Sequence, residues 1–508
     1  MTESSVPAAQ DGPPQSAVAE VIHEQRGSLQ RRLASRHLGM IAIGGAIGTG
    51  LFLGSGGTIA QAGPGGALLA YAIVGMMVLF VMQSLGELST HLPVAGSFHT
   101  YASRYVSPSF GFAMGWNYWF NWAITLAAEL VAAGVIMSFW FPDAPAWVWA
   151  AVFLALLTGL NWLSARAFGE GEFWLALIKV VTIAVFLVLG VLMIAGVLGG
   201  SSPGLSNWTH GDGPFVGGWV SVISVFMIAG FSFQGTELVG VAAGESANPR
   251  RDMPRAIRSV FWRIMLFYIG AIAVIGFLLP YTDPSLLAAA NSEDITASPF
   301  TLVFERAGIA VAAGVMNAVI LTAILSAGNS GLYASTRMLY AMAKEGVAPR
   351  LFARLNARGV PVMAMLATAA IGLFGFLTEV MGDGAAYTWL INVSGLSGFL
   401  VWVGIAWSHY RFRRAWVRQG RRVDELPYIA PLFPLGPLLA ITLLLIVIIG
   451  QNTQAVANGQ VLEVVSAYIG LPVFLLVWGL HRLVTGRASR TVPLQEMDLS
   501  GELPDTAS

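Results

Sequence analysis

Lys179 stands in the apolar run Leu177 to Val181 of a protein that has only two lysines in 508 residues. A charge at the centre of a bilayer costs roughly 2.5–3.5 kcal/mol on insertion scales, so a lysine in such a run needs a reason. Burial disfavours the charged form of an amine, which makes Lys179 a candidate to take up and release a proton. The alternative is a lysine near a helix end whose stem snorkels to the interface. Carboxylates recur in similar surroundings. Glu237 follows Gly230 to Thr236 inside an apolar segment, where it could answer an ammonium group or a proton, or simply hold a hydroxyl or backbone group. Glu245 lies about two turns further on, as part of an inner gate or as a solvated end residue. Glu129 and Glu87 also fall in apolar segments; Glu87 is close to an end and reads as structural.

Two glycine-rich stretches could receive the backbone of a small zwitterion. Residues 43–57 hold seven glycines in 15 positions, and each weakens a helix by roughly 1 kcal/mol relative to alanine. Irregular backbone at membrane depth is tolerated only where it is buried or lines a cavity. A break here would leave N–H groups around Gly48, Thr49 and Gly50 facing a carboxylate. The alternative is close helix packing through small residues, which the spacing of Gly44 and Gly48 suits. The second stretch, residues 228–237, places Gly230 and Gly235 around Ser232 and Gln234. Backbone near Phe231 and Ser232 would then receive an amino group. Between the two, Gly115 to Trp122 carries Trp116, Tyr118, Trp119, Phe120 and Trp122. Tyr118 and Trp122 are four apart and share a helix face, and aromatic faces attract ammonium groups; an interfacial aromatic belt is the alternative. Asn317, Ser326 and Asn329 could line the same space or form plain interhelical hydrogen bonds.

The elements that must position these residues are membrane helices. Hydrophobic residues make up 56% of the chain and charged residues 11%, against about 25% charged in soluble domains. Runs long enough to cross a bilayer core, roughly 20 residues, predict twelve spans: 38–60, 66–89, 110–139, 145–164, 173–199, 216–244, 256–280, 299–335, 361–378, 386–409, 431–450 and 464–484. The glycine interruptions fall in the first and sixth, five helices apart. Such paired breaks point to an inverted-repeat transporter with its site near the midplane. Basic residues alternate with this count. Of 27 Lys and Arg, only Lys179 and Arg306 miss one side of the predicted topology, leaving 25 on it. That set includes Arg26 to Arg36, Arg250 to Arg263, Arg337 to Arg358 and Arg411 to Arg422. The positive-inside rule makes that side, and both termini, cytoplasmic. Residues 1–30 read as a disordered cytoplasmic tail, 31–485 as the transmembrane domain and 486–508 as a second tail, polar and without structure from Thr491. Net charge is zero, which gives no reason to expect nucleic acid, and the chain lacks cysteine. No metal-ligand cluster or catalytic nucleophile arrangement stands out, so an enzyme is disfavoured.

The glycine-rich stretch Ile43 to Phe52, Gln61 to Gly66, Ser84 to Glu87 and Gly235 to Glu245 resemble the signatures of amino-acid permeases of the amino acid–polyamine–organocation superfamily. The likeness covers about residues 30–485. Gly115 to Trp122, Gly230 to Glu237, Tyr281 to Leu287, Ala327 to Ser330 and Ser408 to Arg414 resemble the bacterial lysine-specific branch. The resemblance implies an all-α, LeuT-type fold of two five-helix inverted repeats plus two C-terminal helices. It implies import of L-lysine across a bacterial inner membrane, coupled to H+ and not to Na+, with no other cofactor. Gly48, Thr49, Gly50, Phe231 and Ser232 would hold the substrate backbone. Tyr118, Trp122 and Glu237 would border its side chain or a gate, and Glu245 would belong to a gate. Lys179 matches a fifth-helix lysine that in proton-coupled relatives takes roughly the place of a sodium ion. Alternatives are a permease or exchanger for arginine, 4-aminobutyrate or a neutral amino acid, and a lysine-binding membrane sensor that contacts a regulatory membrane protein.

Overall fold

The computed structural model describes residues 33–501 except 46, 291–297, 307, 309, 453–454 and 457. The N-terminal tail, with Arg26, Arg31 and Arg32, and residues 502–508 lie outside the described residues. Among the described residues the chain is helical throughout, apart from loops and one isolated bridge between Leu33 and Ser246.

The first span is Ser35–Gly44, an interruption, then Thr49–Phe52 running through Leu53 into Gly54–His91. Gly63 (φ 75°, ψ 168°) breaks that last segment and separates the first span from the second. Pro64 then starts the second span where a missing N–H costs nothing. The third, Pro108–Met137, starts with Pro108 behind a Ser107 side chain that accepts the Phe110 N–H. The fourth is Ala146–Leu163, and the fifth, Ala165–Ile194, is capped by Ser164. The sixth is built from Gly218–Ser224, Phe226–Phe233 and Leu238–Ala242. The seventh combines Pro249–Arg263, a π-helical turn Ile264–Ile269 and Gly270–Leu278. The rest are Ala310–Lys344, the ninth beginning at Val362–Gly372, Asp383–Arg418, Leu435–Gly450 and a twelfth from Val461–Tyr468 into Gly470–Thr485. Among the described residues, nine helices have the length and hydropathy of a membrane span.

Burial orders these helices into a centre and a rim. The third span is 94% buried along its apolar window, and the sixth and tenth 83%, whereas the fourth and fifth are 22% and 28%. The third, sixth and tenth therefore form the interior, and the outward faces of the others, with Val181, Val185 and Val188 exposed, meet lipid.

Three expectations are corrected here. The single eighth span at 299–335 is two helices, Pro299–Arg306 and Ala310–Lys344, separated at Gly308 (φ 75°), and Arg306 pairs with Asp283. Arg263, counted with the basic residues of the cytoplasmic side, is 1% exposed inside the seventh span, while Arg250, Arg251, Arg255 and Arg258 of the same helix are exposed. The tail expected to lack structure from Thr491 is packed as far as residue 501. Its Val492 N–H donates to the Val106 carbonyl, and Gln419 and Arg421 donate to carbonyls of Leu494, Met497 and Leu499. Arg104 pairs with Asp498, and Met497 and Leu499 are buried.

Candidate functional site

The two interruptions predicted from glycine meet in space. The first helix ends at Gly45, whose N–H bonds the Ile41 carbonyl. Gly48 is non-helical (φ −138°, ψ −149°), and a new half-helix starts at Thr49. Its first N–H groups have no partners within the helix. In the sixth span the helix stops at Phe233. Gln234 is extended (ψ 145°), Gly235 takes φ 94°, and helix resumes at Leu238. Only glycine adopts that φ without strain. The breaks press together: a Cβ on Gly50 would stand 2.6 Å from the Ser232 Cα and 2.8 Å from its N. The interruptions are present in both spans, and small residues let them touch.

Between them lies a cavity of about 10 Å³ whose lining includes Gly48, Gly50, Trp122, Glu129, Phe231 and Gln234. That is room for about one water, so the central space is nearly closed in this conformation. Thr49 donates from Oγ1 to Glu129 Oε1 at 3.1 Å, and the same carboxylate faces the Thr49 amide. A carboxylate of the protein thus sits at the half-helix N-terminus, where a substrate carboxylate is expected. The Phe231 carbonyl accepts the Gln234 N–H at 3.0 Å, and the Ser232 carbonyl accepts the Tyr268 hydroxyl at 2.9 Å. Each carbonyl keeps a second lone pair for an ammonium group. Gln234 Nε2 reaches the Ser394 and Gly395 carbonyls, tying the sixth break to the tenth span.

Lys179 does not snorkel. The fifth helix starts at Ala165, so the lysine is deep in it, and its Nζ donates to the Ile47 carbonyl in the first break at 3.0 Å and to Ser326 Oγ at 2.9 Å. Ser326 Oγ in turn donates to Glu172 Oε1 at 2.6 Å. The ammonium thereby joins the first, fifth and eighth spans through polar atoms that a bound cation would otherwise have to satisfy.

Tyr118, Trp122 and Glu237 come together beside this centre. Tyr118 lies near Trp122 and Glu237, and Glu237 Oε2 accepts the Trp402 Nε1–H at 3.1 Å and the Gly235 N–H at 3.2 Å. Among the described residues, the hydroxyl of Tyr118 and Nε1 of Trp122 are buried without hydrogen-bond partners. Trp122 lines the central cavity; Tyr118 and Glu237 lie beyond it. Trp116, Trp119 and Phe120 point the other way, into an apolar groove with Trp389 and Phe474. Glu245 is buried where the first, sixth and eighth spans converge at the basic end of the molecule. It accepts from Arg337 Nε and from the Tyr333 hydroxyl, both at 2.8 Å, and its carbonyl accepts the Leu33 N–H. The Arg337 guanidinium lies 4.4 Å from the Tyr333 ring centroid, and Phe168 stacks on that ring. Glu87 is an ion-pair partner of Arg413 away from the cavity. Of the eighth-span polar residues, Ser326 reaches Lys179, Asn329 bonds Asn161, and Asn317 bonds Thr301.

The amino acid permease family model matches residues 37–492. The chain belongs to the amino acid permease family. This permease is 56% identical over 472 residues to the lysine-specific permease LysP of Escherichia coli strain K12, covering 92% of the chain and 96% of that protein. It is 47% identical to the lysine-specific permease LysP of Lactococcus lactis over 93% of each protein. It is also 47% identical to the histidine permease HisP of the same organism, over 94% of the chain and all of that protein. The permease is thus a polytopic membrane transporter of amino acids and not an enzyme.

Sequence reasoning missed three residues. Glu129 was seen but assigned no role, because its register relative to the first break cannot be read from the third span alone. Glu172 lies in Gly169-Glu170-Gly171-Glu172, whose composition mimics a loop. Arg263 was hidden among exposed arginines. It donates to the Ala42 carbonyl and, at 2.5 Å, to Thr236 Oγ1, bridging the backbone ahead of the first break to the second.

Proposed function

We propose that this permease imports L-lysine across a bacterial inner membrane by proton symport, with the basic end and both termini in the cytoplasm. The observation that carries the reading is the junction of Lys179 with the interrupted first helix, next to a closed space lined by the second break. The substrate carboxylate takes the N–H groups at Gly48, Thr49 and Gly50, displacing Glu129. Its α-amino group takes the open lone pairs at Phe231 and Ser232. Its side chain runs toward the faces of Trp122 and Tyr118, with Glu237 as counter-charge. Lys179 carries the coupling proton: when neutral it loosens its hold on Ile47, so the loading of the site and the proton are linked through one backbone atom. Glu245 with Arg337 and Tyr333 forms the inner gate, which must separate for release. The access alternates because the breaks let half-helices tilt about a fixed site.

The identities to both lysine and histidine permeases make the substrate side chain the part to test first. Purified permease in proteoliposomes should accumulate labelled lysine when the outside is acid and lose accumulation when the gradient is dissipated. Unlabelled lysine should compete, and histidine, arginine and neutral amino acids should not. Preferential competition by histidine would replace lysine in this reading. Accumulation independent of the imposed gradient would refute symport, as would unchanged gradient-driven accumulation by Lys179→Ala.

A further inference from the structure

The coupling scheme gives Lys179 a proton but no route for it to leave toward the basic end. The geometry points to Glu172 as the group that receives that proton, through the Ser326 hydroxyl; this rests on the proton-symport reading above. Lys179 Nζ donates to Ser326 Oγ, and Ser326 Oγ donates to Glu172 Oε1, so the donors already run in one direction. Glu172 precedes Lys179 by seven residues in the same helix, about 10 Å of rise toward its N-terminal end. At that end Glu170 pairs with Arg36 and His37.

The transfer balances without any co-reactant. An N–H bond of the Lys179 ammonium breaks as an O–H bond forms on Ser326, and the original Ser326 O–H breaks as one forms on Glu172. Lys179 and Glu172 both end neutral, and Ser326 is unchanged. Among the described residues, the second oxygen, Glu172 Oε2, is buried with no hydrogen bond of its own. The eighth span offers Asn329 and Ser330, which face Glu172 but do not ionise, and the fourth offers Asn161, bonded to Asn329. The third span offers Glu129, engaged by Thr49; the seventh offers Arg263, engaged by Ala42 and Thr236. The first span offers His37 and Arg36, both on Glu170. Among the described residues, Glu172 is an acid bridged to Lys179 by a single hydroxyl.

The test uses the full-length permease in proteoliposomes. Glu172→Gln keeps an oxygen for the Ser326 hydroxyl but cannot accept a proton. It should slow gradient-driven lysine accumulation by about 10²-fold, the scale of a lost proton-transfer group. Lysine–lysine exchange at equal pH on both sides, which needs no net proton release, should be retained. Ser326→Ala should reproduce the defect and Ser326→Thr should restore flux, which keeps the test decisive if Glu172→Gln fails to fold. Wild-type accumulation by either Glu172→Gln or Ser326→Ala would overturn the assignment while leaving symport standing. Loss of exchange together with accumulation would mark Glu172 as structural and overturn it too. A wild-type protein indifferent to the proton gradient would remove the symport reading and this assignment with it.

Discussion

Gly50→Ala isolates the contact between the two helix breaks. The added Cβ would stand 2.6 Å from the Ser232 Cα, 2.8 Å from its N and 2.8 Å from its Oγ. Two of those atoms are backbone, so no side-chain rotation relieves the clash and the sixth span must move. Overpacking of this kind costs typically 1–3 kcal/mol. If the breaks must stay in register to hold a substrate backbone, that cost falls on affinity, a loss of roughly 5- to 150-fold at 1.4 kcal/mol per tenfold. Two substitutions calibrate the measurement. Gly48→Ala meets Glu129 Oε1 at 2.9 Å, the far end of a side chain that can turn away, and the Ala327 Cβ at 3.0 Å. It should lose less affinity than Gly50→Ala. Gly39→Ala meets nothing within 4 Å and lies within Ser35–Gly44, so it should bind normally and gain up to about 1 kcal/mol of helix stability. Lysine affinity by calorimetry and thermal midpoint should be read on all three. Gly50→Ala binding within about twofold of wild type, with Gly39→Ala also normal, would refute the claim that the touching breaks form the site.

Three further outcomes follow from particular contacts. Arg337→Ala leaves the buried Glu245 carboxylate with the Tyr333 hydroxyl and no cation among the described residues, at a cost of about 3–5 kcal/mol; thermal stability should drop and lysine should leak from loaded vesicles faster, whereas an unchanged leak would argue against a gate. Removing residues 491–508 exposes what Met497 and Leu499 cover, about 1.5–3 kcal/mol per side chain, so the melting temperature should fall by several degrees while transport persists. Glu345 follows the eighth span. Burial raises its carboxyl, but His99, 2.9 Å away, and the Thr100 hydroxyl outweigh burial and hold it below the usual carboxylate range. A depressed acid contributes stability above its unfolded value, near 4.3, and that contribution is lost as pH falls through the lower folded value. The thermal midpoint of wild type should therefore drop on acidification below about pH 4.3 more steeply than that of Glu345→Gln.

Much of this was legible in the sequence because glycine and charge are conspicuous in apolar helices. The interruptions at Gly48 and Gly235 were readable from composition, since a helix in lipid with so many glycines has to be explained. Lys179 was readable because it was one of two lysines. What failed did so for definite reasons. Hydropathy smooths over a short interruption, so Gly308 between Pro299–Arg306 and Ala310–Lys344 left no trace. Polar first turns are still helix, so the fifth span began well before its apolar core, which concealed Glu172, and Arg263 was grouped with the exposed arginines of its own helix. The packing of 491–501 depends on partners at Arg104, Arg411 and Gln419, far away in the chain and invisible to any local pattern.

The most direct measurement is a density map of the permease with L-lysine bound. The substrate carboxylate should lie within hydrogen-bond reach of the N–H groups of Thr49 and Gly50, with Glu129 withdrawn, and the α-amino group should lie on the carbonyls of Phe231 and Ser232. Lysine held elsewhere, with Glu129 still on Thr49 and the gap between Gly50 and Ser232 still shut, would contradict the account.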